Sequence, residues 1–388
     1  MKKLAIISEF NPFHNGHKYL LDKATEDLAC DFAISFMSGD FVQRGEPAII
    51  DKFIRAQTAI ENGFDLVIEM PNFISLQAAE FFAFKSIEIL NKIGIDYLCF
   101  GIENLDERDF LNKSKIIINN DNFIHQKLKK YLANGISYTK ALNIAISKLV
   151  GDEFISANNI LALEYMKALH RLGSQIKPYP ICRVGSLNKD KTINDKYYAS
   201  STAIRKNISS DISKLMPKTS YKNLSDFFKK YNKIDDEIFY KFFTYKLIVE
   251  KKAMTDIIGY EEGIENYLVK LVSKNRSFDN FLNEATSLRY TKSRLRRLIL
   301  NYILDNDFRL NGLDINFIKI LAYNEKATKI FKNFHDKVEI VVNKADSNKL
   351  NQDNLKIFEK MINASNLYNL AIGRDINYDF IHNNKPFK

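Results

Sequence analysis

The 388-residue chain has few of the residues that form disulfides or bind structural metals. Its three cysteines, Cys30, Cys99 and Cys182, are far apart, odd in number and match no metal-ligand spacing. The six histidines form no zinc-binding motif either. We therefore expect buried free thiols, no disulfide framework and no structural metal site.

Long apolar segments are also missing. No uninterrupted hydrophobic stretch approaches the roughly 18 residues that span a bilayer. The N-terminal MKKLAIISEF has only a four-residue apolar run before Ser8 and Glu9, which is too short for the core of a signal peptide. These absences predict a cytoplasmic protein with no membrane segment. The length and the 46% hydrophobic content are sufficient for two or three packed domains.

The positive charge lies in one half of the chain. Residues 1–200 contain 24 Lys and Arg against 24 Asp and Glu, whereas residues 201–388 contain 33 against 23. A neutral half joined to a basic half suits a polyanionic partner such as RNA. A solvated surface encoded by a Lys- and Asn-rich genome explains the charge equally well.

The first 110 residues alternate between short apolar runs and segments with helical periodicity. The runs are LAIIS, FAISFM, DLVIEM and DYLCFG, and the clearest helix lies at residues 76–93. This alternation is typical of βαβ units with a parallel sheet and right-handed crossovers. One more strand is expected within residues 176–184.

We therefore predict an α/β fold in two parts. Residues 1–208 form a doubly wound parallel-sheet domain, and residues 209–388 form a mainly helical, basic region. The best amphipathic helix of the second part lies at residues 291–304, and a small late strand pair is expected near residues 337–345.

The turn after the first strand, EFNPFHNGH, has the features of an anion site. Asn11, Pro12 and Gly16 favour a tight turn, and the helix that follows directs its free N–H groups toward the carboxyl edge of the sheet. The turn contains neither a dinucleotide-binding motif nor a P-loop. His14 and His17 are three residues apart and can together hold an α-phosphate. Otherwise they are a turn residue and a helix cap.

Two motifs point to one superfamily. HNGH resembles the HxGH signature of the adenylyl-transferring nucleotidyltransferases, and SSTAIR at residues 200–205 resembles their second signature. By this resemblance Ser201 and Thr202 supply hydroxyls, and Arg205 binds the β- and γ-phosphates and the departing pyrophosphate. On its own, SSTAIR is an ordinary helix cap.

A longer series of motifs is similar to the bacterial tRNA(Met) cytidine acetate ligase family. In order, they are EFNPFHNGHKYL, MSGDFVQRGEPAIIDKFIRA, GFDLVIEMP, QAAEFFA, YLCFGIE, NNILALEY, SSTAIR and, near residue 290, RYTKSRLRRLIL. The similarity covers the first 205 residues and returns in the basic half, so it extends over most of the chain.

This resemblance implies a ligase. Such an enzyme uses ATP to convert acetate to acetyl-adenylate, and then acetylates the wobble cytidine of elongator tRNA(Met) to N4-acetylcytidine. Mg²⁺ is expected on the triphosphate, with water and phosphate ligands rather than protein ligands, and no protein partner is implied. Two alternatives stay open: an adenylyltransferase for a small cofactor precursor, and a non-catalytic RNA-binding protein.

The resemblance also implies the site residues of this chain. The expected catalytic residues are His14, His17, Ser201 and Arg205. The expected ATP contacts are Ile7, Ser8, Glu9, Phe10, Asn11, Pro12, Phe13, His14, Asn15, Gly16, His17, Lys18, Tyr19, Leu20, Gly101, Asn158 and Arg183. The expected RNA contacts are Lys292, Arg294, Arg296 and Arg297.

Four further side chains are weaker candidates. In the long polar segment at residues 39–52, Arg44 and Lys52 are expected to cover the nucleotide or to meet RNA, unless the segment is a plain solvated loop. Glu80 is expected to line the site or to cap a buried network. Tyr290 is expected to stack on a base.

Overall fold

The computed structural model describes residues 1–184, 195–335, 337–382 and 386–387. The strands in these ranges are β1 (Lys3–Ser8), β2 (Phe32–Ser38), β3 (Phe41–Val42), β4 (Glu46–Pro47), β5 (Leu66–Met70), β6 (Tyr97–Ile102), β7 (Lys177–Cys182), β8 (Phe317–Tyr323) and β9 (Glu339–Val341). The α-helices are α1 (Asn15–Leu28), α2 (Lys52–Glu61), α3 (Asn72–Ser75), α4 (Ala79–Lys92), α5 (Glu107–Asn119), α6 (Asp121–Ala133), α7 (Tyr138–Val150), α8 (Ala157–Arg171), α9 (Ser201–Lys206), α10 (Lys218–Lys230), α11 (Glu237–Thr244), α12 (Ile264–Val272), α13 (Phe278–Ala285), α14 (Lys292–Ile303), α15 (Thr328–His335), α16 (Gln352–Ile372) and α17 (Tyr378–Ile381).

The main sheet confirms the doubly wound α/β prediction. Its strand order is β7-β6-β1-β2-β5-β8-β9, and the first five strands of that order are mutually parallel. They are the four predicted N-terminal strands and the one expected within residues 176–184. Parallel strands packed on both faces are continuous apolar runs, as in β2, where every residue is buried.

The late strands differ from the prediction. Only β9 lies in the segment near residues 337–345, and its parallel partner β8 lies outside that segment. These strands also do not form a separate pair, because β8 runs antiparallel to β5 and so extends the main sheet. Burial explains this position, since the first six residues of β8 are buried. The sheet therefore crosses the predicted boundary at residue 208.

The helical region is joined to the sheet domain by a shared apolar core. Phe41 of β3 packs in one cluster with Ala203 and Ile204 of α9, Leu300 of α14 and Tyr368 of α16. The short helix α9 is thus anchored by contacts from both parts of the chain, which fixes the SSTAIR segment next to the sheet.

Two further sequence expectations have structural outcomes. The three cysteines are free, and Cys99 is buried while Cys30 and Cys182 are partly exposed. Among the helices in the described ranges, none has both the length and the apolar character needed to cross a bilayer.

Candidate functional site

A cavity of about 370 Å³ opens at the carboxyl edge of β1, β6 and β7. Its walls come from the β1–α1 turn, α4, α8 and the first residues of α9. This is the edge at which open parallel sheets bind ligands. The predicted nucleotide site and this cavity therefore coincide in position.

The β1–α1 turn presents two stacked imidazoles to the cavity. His14 is the N-cap of α1, and its Nδ1 accepts a hydrogen bond from the Gly16 amide at 3.1 Å. His17 Nδ1 accepts from the His14 amide at 3.2 Å, which completes a reciprocal capping box. The ring centroids are 3.8 Å apart. Because Nδ1 is an acceptor in both neutral rings, the Nε2–H of each ring is the donor available to a ligand.

The environment keeps both rings neutral. Burial, followed by repulsion from His17 and Arg183, lowers the pKa of His14 well below its usual value. Burial and the positive charge of Arg183 lower the pKa of His17 to about 3. At neutral pH the pair can therefore donate two hydrogen bonds to a ligand without adding charge, and it is a poor proton acceptor.

The two signatures meet directly, although about 190 residues separate them. Arg205 Nη1 donates a hydrogen bond to the main-chain oxygen of Asn11 at 2.8 Å. Ser201, Thr202 and Arg205 line the same cavity as His14 and His17. The Ser200 side chain caps α9 by accepting from the Ala203 amide at 3.1 Å. Hydroxyls and a guanidinium thus face the imidazole pair across one space.

The rim near β6 has a carboxylate that sequence reasoning missed. Glu103 follows β6 and is buried, and it accepts a hydrogen bond from Asn158 Nδ2 at 2.7 Å. Arg183 Nη1 lies 3.7 Å from the same carboxylate. A Cβ on Gly101 would lie 3.1 Å from Arg183 Cγ, so glycine leaves room for that side chain. Asn158 and Arg183 are therefore positioned by Glu103, which the sequence shows only as the last letter of YLCFGIE.

The Ile7–Leu20 stretch divides into two groups. Ten of its residues line the cavity, namely Ile7, Ser8, Glu9, Phe10, Asn11, His14, Gly16, His17, Tyr19 and Leu20. Pro12, Phe13, Asn15 and Lys18 do not line it. Phe13 is buried in the core, Asn15 donates to the main-chain oxygens of Tyr197 and Lys214, and Lys18 pairs with Asp22. These four support the turn rather than face a ligand.

Phe10 holds the turn in an unusual conformation. Its φ is +45°, a left-handed value that costs a non-glycine residue free energy and persists only where the surroundings enforce it. Its buried ring packs against Phe13 and Phe64, with centroid distances of 4.8 and 5.4 Å. The apolar ring contacts thus fix the backbone between Glu9 and His14.

The polar segment at residues 39–52 gives a mixed outcome. Arg44 is exposed and lines the cavity mouth, and its contact with nucleotide or RNA stays a prediction. Lys52 is fully buried, so the expectation that it covers nucleotide or meets RNA is wrong. Its Nζ is 2.8 Å from Glu69 and 2.6 Å from Asp379, because a buried ammonium needs charged partners. The segment is a β3–β4 hairpin held in place, not a solvated loop.

Arg55 is a second residue that sequence reasoning missed. Its guanidinium is fully buried and donates to the main-chain oxygens of Glu9 at 2.6 Å and Ser38 at 3.1 Å. It also donates to the oxygens of Gly39 and Ile50. This one side chain ties the ends of β1 and β2 to the start of α2. The sequence gave no signal of this structural role, because Arg55 resembles any basic residue of a helix.

The expected roles of two weaker candidates, Glu80 and Tyr290, are wrong because of where these side chains lie. Glu80 is exposed and lies 4.0 Å from Arg171 on the surface, so it neither lines the cavity nor caps a buried network. Tyr290 is only 7% exposed and stacks on Tyr267, so it offers no face to a base.

The basic helix α14 holds all three of its arginines in contacts within the protein. Arg294 pairs with Glu261, Arg296 Nη1 is 2.6 Å from Asp236, and Arg297 donates to the Gln43 oxygen at 3.2 Å. Burial lowers the pKa of Arg297 to about 10. Lys292 is exposed. RNA contact by these four residues stays a prediction.

The cavity has the chemistry of a site for a nucleoside triphosphate. Neutral Nε2–H donors and guanidinium groups surround one space, and they can stabilise negative charge on phosphate oxygens. Within the described residues no cluster of histidine, cysteine or carboxylate side chains could hold a metal ion.

Comparison with known families and proteins agrees with this geometry. Residues 1–380 match the family HIGH Nucleotidyl Transferase. The chain is 36% identical over 362 residues to a tRNA(Met) cytidine acetate ligase of Caldicellulosiruptor bescii, covering 92% of this chain and 89% of that protein. It is 35% identical over 395 residues to the ligase of Thermoanaerobacter sp. strain X514, covering 98% of both.

Solved structures agree as well. The apo form I crystal structure of Thermotoga maritima TmcAL has a TM-score of 0.86 and 28% identity, covering 96% of this chain and 95% of that one. The form II structure of the same protein, bound with alpha-thio ATP, has a TM-score of 0.81 and 27% identity at the same coverage.

Proposed function

We propose that this chain, which belongs to the HIGH Nucleotidyl Transferase family and within it to the tRNA(Met) cytidine acetate ligases, acetylates a tRNA cytidine with acetate and ATP. The main support for this proposal is the hydrogen bond from Arg205 to the main-chain oxygen of Asn11, because it holds both nucleotidyltransferase signatures at one cavity. The reaction takes place in two steps, and the cytoplasm, where tRNA is processed, is its proposed location.

The first step activates acetate. A carboxylate oxygen of acetate attacks the α-phosphorus of ATP, the bond to the bridging oxygen breaks, and pyrophosphate leaves. The Nε2–H groups of His14 and His17 donate to the α-phosphate oxygens and stabilise the charge that develops there. Ser201, Thr202 and Arg205 hold the β- and γ-phosphates, and Arg205 stabilises the departing pyrophosphate.

The adenosine end of the nucleotide lies at the β6–β7 rim. Gly101 provides a strand end without a side chain, and the Arg183 stem passes directly over it. Glu103 orients both Arg183 and Asn158, so a nucleotide contact by either side chain depends on that buried carboxylate. This proposal is supported by the cavity lining, which includes the rim residues together with the histidine pair.

Magnesium fits this site only as an ion bound to the phosphates of the nucleotide. The described cavity lining contains a single carboxylate, Glu9, so the protein offers no carboxylate cage. When bound, the ion would neutralise triphosphate charge, with phosphate oxygens and water completing its coordination.

The tRNA-binding face includes α14, with Lys292, Arg294, Arg296 and Arg297, as the sequence predicts. Gly45 of the β3–β4 hairpin lies against the main chain of Arg296 and Arg297, which connects α14 to the cavity mouth at Arg44. A second basic surface, formed by the exposed lysines Lys206, Lys214, Lys218 and Lys222, lies on α9, α10 and the segment between them.

Acetate-dependent exchange of labelled pyrophosphate into ATP tests the first step. We expect exchange only when acetate is present, because the carboxylate is the nucleophile. Transfer of labelled acetyl groups to total tRNA tests the second step. Exchange that needs a cofactor precursor instead of acetate would support the adenylyltransferase alternative, and tRNA binding without exchange would support a non-catalytic RNA-binding protein.

A further inference from the structure

Glu9 is the one acidic side chain among the described residues that line the cavity. Glu9 follows the last residue of β1, and its Oε1 accepts a hydrogen bond from the main-chain N–H of Gln43 at 2.8 Å. Its main-chain oxygen accepts from the buried Arg55. Side chain and backbone are thus both fixed at the wall of the site.

A carboxylate at this position does not favour the substrates of the first step. ATP and acetate are both anions, and a carboxylate repels each of them. The remaining substrate is different, because the exocyclic N4 amine of cytosine is a hydrogen-bond donor and a carboxylate is its matching acceptor. The charge of Glu9 therefore complements the nucleophile of the second step.

The other titratable groups of the described lining are poor bases. In His14 and His17 Nδ1 accepts the hydrogen bonds that cap α1, so Nε2 carries the proton, and their lowered pKa values keep both rings neutral. Burial raises the pKa of the Cys182 thiol and of the Tyr165 hydroxyl. The arginines of the lining stay protonated.

We infer that the Glu9 carboxylate binds the N4 amine of the target cytidine and acts as the general base of acetyl transfer. The inference rests on the proposed function. As N4 attacks the acetyl carbonyl carbon, the new C–N bond forms and one N4 proton passes to the Glu9 carboxylate. The bond between the acetyl carbon and the phosphate oxygen then breaks, and AMP leaves with the electron pair.

Glu9→Gln tests this role with little change in shape. The side-chain oxygen of the new glutamine can still accept from the main-chain N–H of Gln43, but the new side chain cannot take a proton. We expect single-turnover acetyl transfer from preformed acetyl-adenylate to tRNA to fall about 100-fold or more, which is typical of losing a general base. Acetate-dependent exchange, in which the attacking carboxylate needs no base, should fall by a much smaller factor than transfer does. Glu9→Asp should recover part of the transfer rate, and Glu26→Gln, which removes an exposed carboxylate on α1, is the matched control.

Hydroxylamine separates base catalysis from acetyl-adenylate formation. It is a strong nucleophile at neutral pH, so acetohydroxamate formation by Glu9→Gln should fall no further than acetate-dependent exchange does. Equal losses of exchange and transfer in Glu9→Gln, or unchanged transfer, would overturn the inference. Absence of acetate-dependent exchange in the wild type would instead refute the proposed function itself.

The pH dependence provides an independent readout. Burial raises the pKa of Glu9, while the Gln43 amide and the charges of Arg205, Arg44 and Arg55 oppose the increase. Tyr165, His14 and His17 line the same space and are uncharged near neutral pH. The wild-type transfer rate should therefore fall as the pH falls through a value above the usual range of glutamate. In Glu9→Gln the rate should be low and should lack this decrease, and an identical profile in both would contradict the base role.

Discussion

At the residue scale, each histidine of the pair has two separable functions. In each ring Nδ1 caps α1, whereas Nε2–H is left for the phosphate. His17→Ala removes both functions. His17→Glu keeps an acceptor that suits the third position of a capping box, but its ionised carboxylate has no hydrogen-bond donor. The two variants therefore distinguish a ligand role from a cap role.

We expect both His17 variants to lower acetate-dependent pyrophosphate exchange by about 100- to 1,000-fold, as removal of one charge-stabilising donor does elsewhere. Only His17→Ala should also lose about 1 kcal/mol of unfolding free energy, because only it loses the cap. Urea titration measures the second effect. Wild-type exchange by His17→Glu would show that the ring is a cap alone.

The same residues make a prediction about stability and pH. The unfolded chain protonates its histidines near pH 6.5, but native His17 resists protonation down to about pH 3. Between these values the unfolded state binds more protons, so the free energy of unfolding falls as the pH falls. The wild type should lose up to about 1.4 kcal/mol per pH unit more than His17→Gln below pH 6.5. Parallel stability curves for the two proteins would contradict a buried neutral His17.

Sequence reasoning locates side chains that belong to a local motif, although their roles stay predictions. His14, His17, Ser201, Thr202 and Arg205 all line the cavity. It cannot assign residues whose partners are distant in the chain. Lys52 resembles a surface cation in the sequence because its partner Asp379 is 327 residues away. The same limit hides Glu103 and Arg55, whose roles depend on contacts that only the fold creates.

At the element scale, the β3–β4 hairpin connects the site to α14. Gly45 in the hairpin has φ +75°, and a Cβ there would lie 2.6 Å from the Arg297 amide nitrogen. Moving the backbone of α14 would disrupt its hydrogen bonds, so the hairpin must shift instead if this glycine is replaced. Arg44 and Gln43, which line the cavity, would shift with it.

Gly45→Ala should therefore lower both stability and activity. We expect a decrease of about 2–4 kcal/mol in unfolding free energy, which adds a steric clash to the backbone strain, and a reduced exchange rate. Gly135→Ala is a matched control, because Gly135 has φ +73° and no atom within 4 Å of the added Cβ. Its stability should fall by about 1 kcal/mol, from backbone strain alone, with no change in exchange. Equal decreases in both variants would remove the clash as the cause.

Element prediction is accurate for local periodicity and fails for long-range pairing. The apolar runs of the first half predict β1, β2, β5 and β6. The 3.6-residue pattern at residues 291–304 predicts α14, which the structure shows at Lys292–Ile303. The position of β8 depends on its antiparallel pairing with β5, about 250 residues earlier. No local pattern encodes which strand such a run will join.

At the scale of the whole molecule, the location of the tRNA-binding surface is decided by which cations remain available. Arg294 and Arg296 are paired with Glu261 and Asp236, so part of their charge is already neutralised. The lysines at positions 206, 214, 218 and 222 are exposed. They lie next to the histidine turn, since Asn15 donates to the Lys214 oxygen at 2.8 Å and Ser220 of α10 donates to the Phe13 oxygen at 2.6 Å.

We expect these lysines to neutralise more phosphates than α14 does. Changing Lys206, Lys214, Lys218 and Lys222 together to alanine should weaken tRNA binding, and the slope of log affinity against log salt should fall by about 0.7–0.9 for each phosphate that the variant no longer neutralises. Arg294→Ala with Arg297→Ala should reduce the slope less. Exchange should persist in the lysine variant, since none of its four positions lines the cavity. The opposite ranking of the two slopes would place the main RNA-binding surface on α14, because affinity for a polyanion follows the charges that are free to release its counterions.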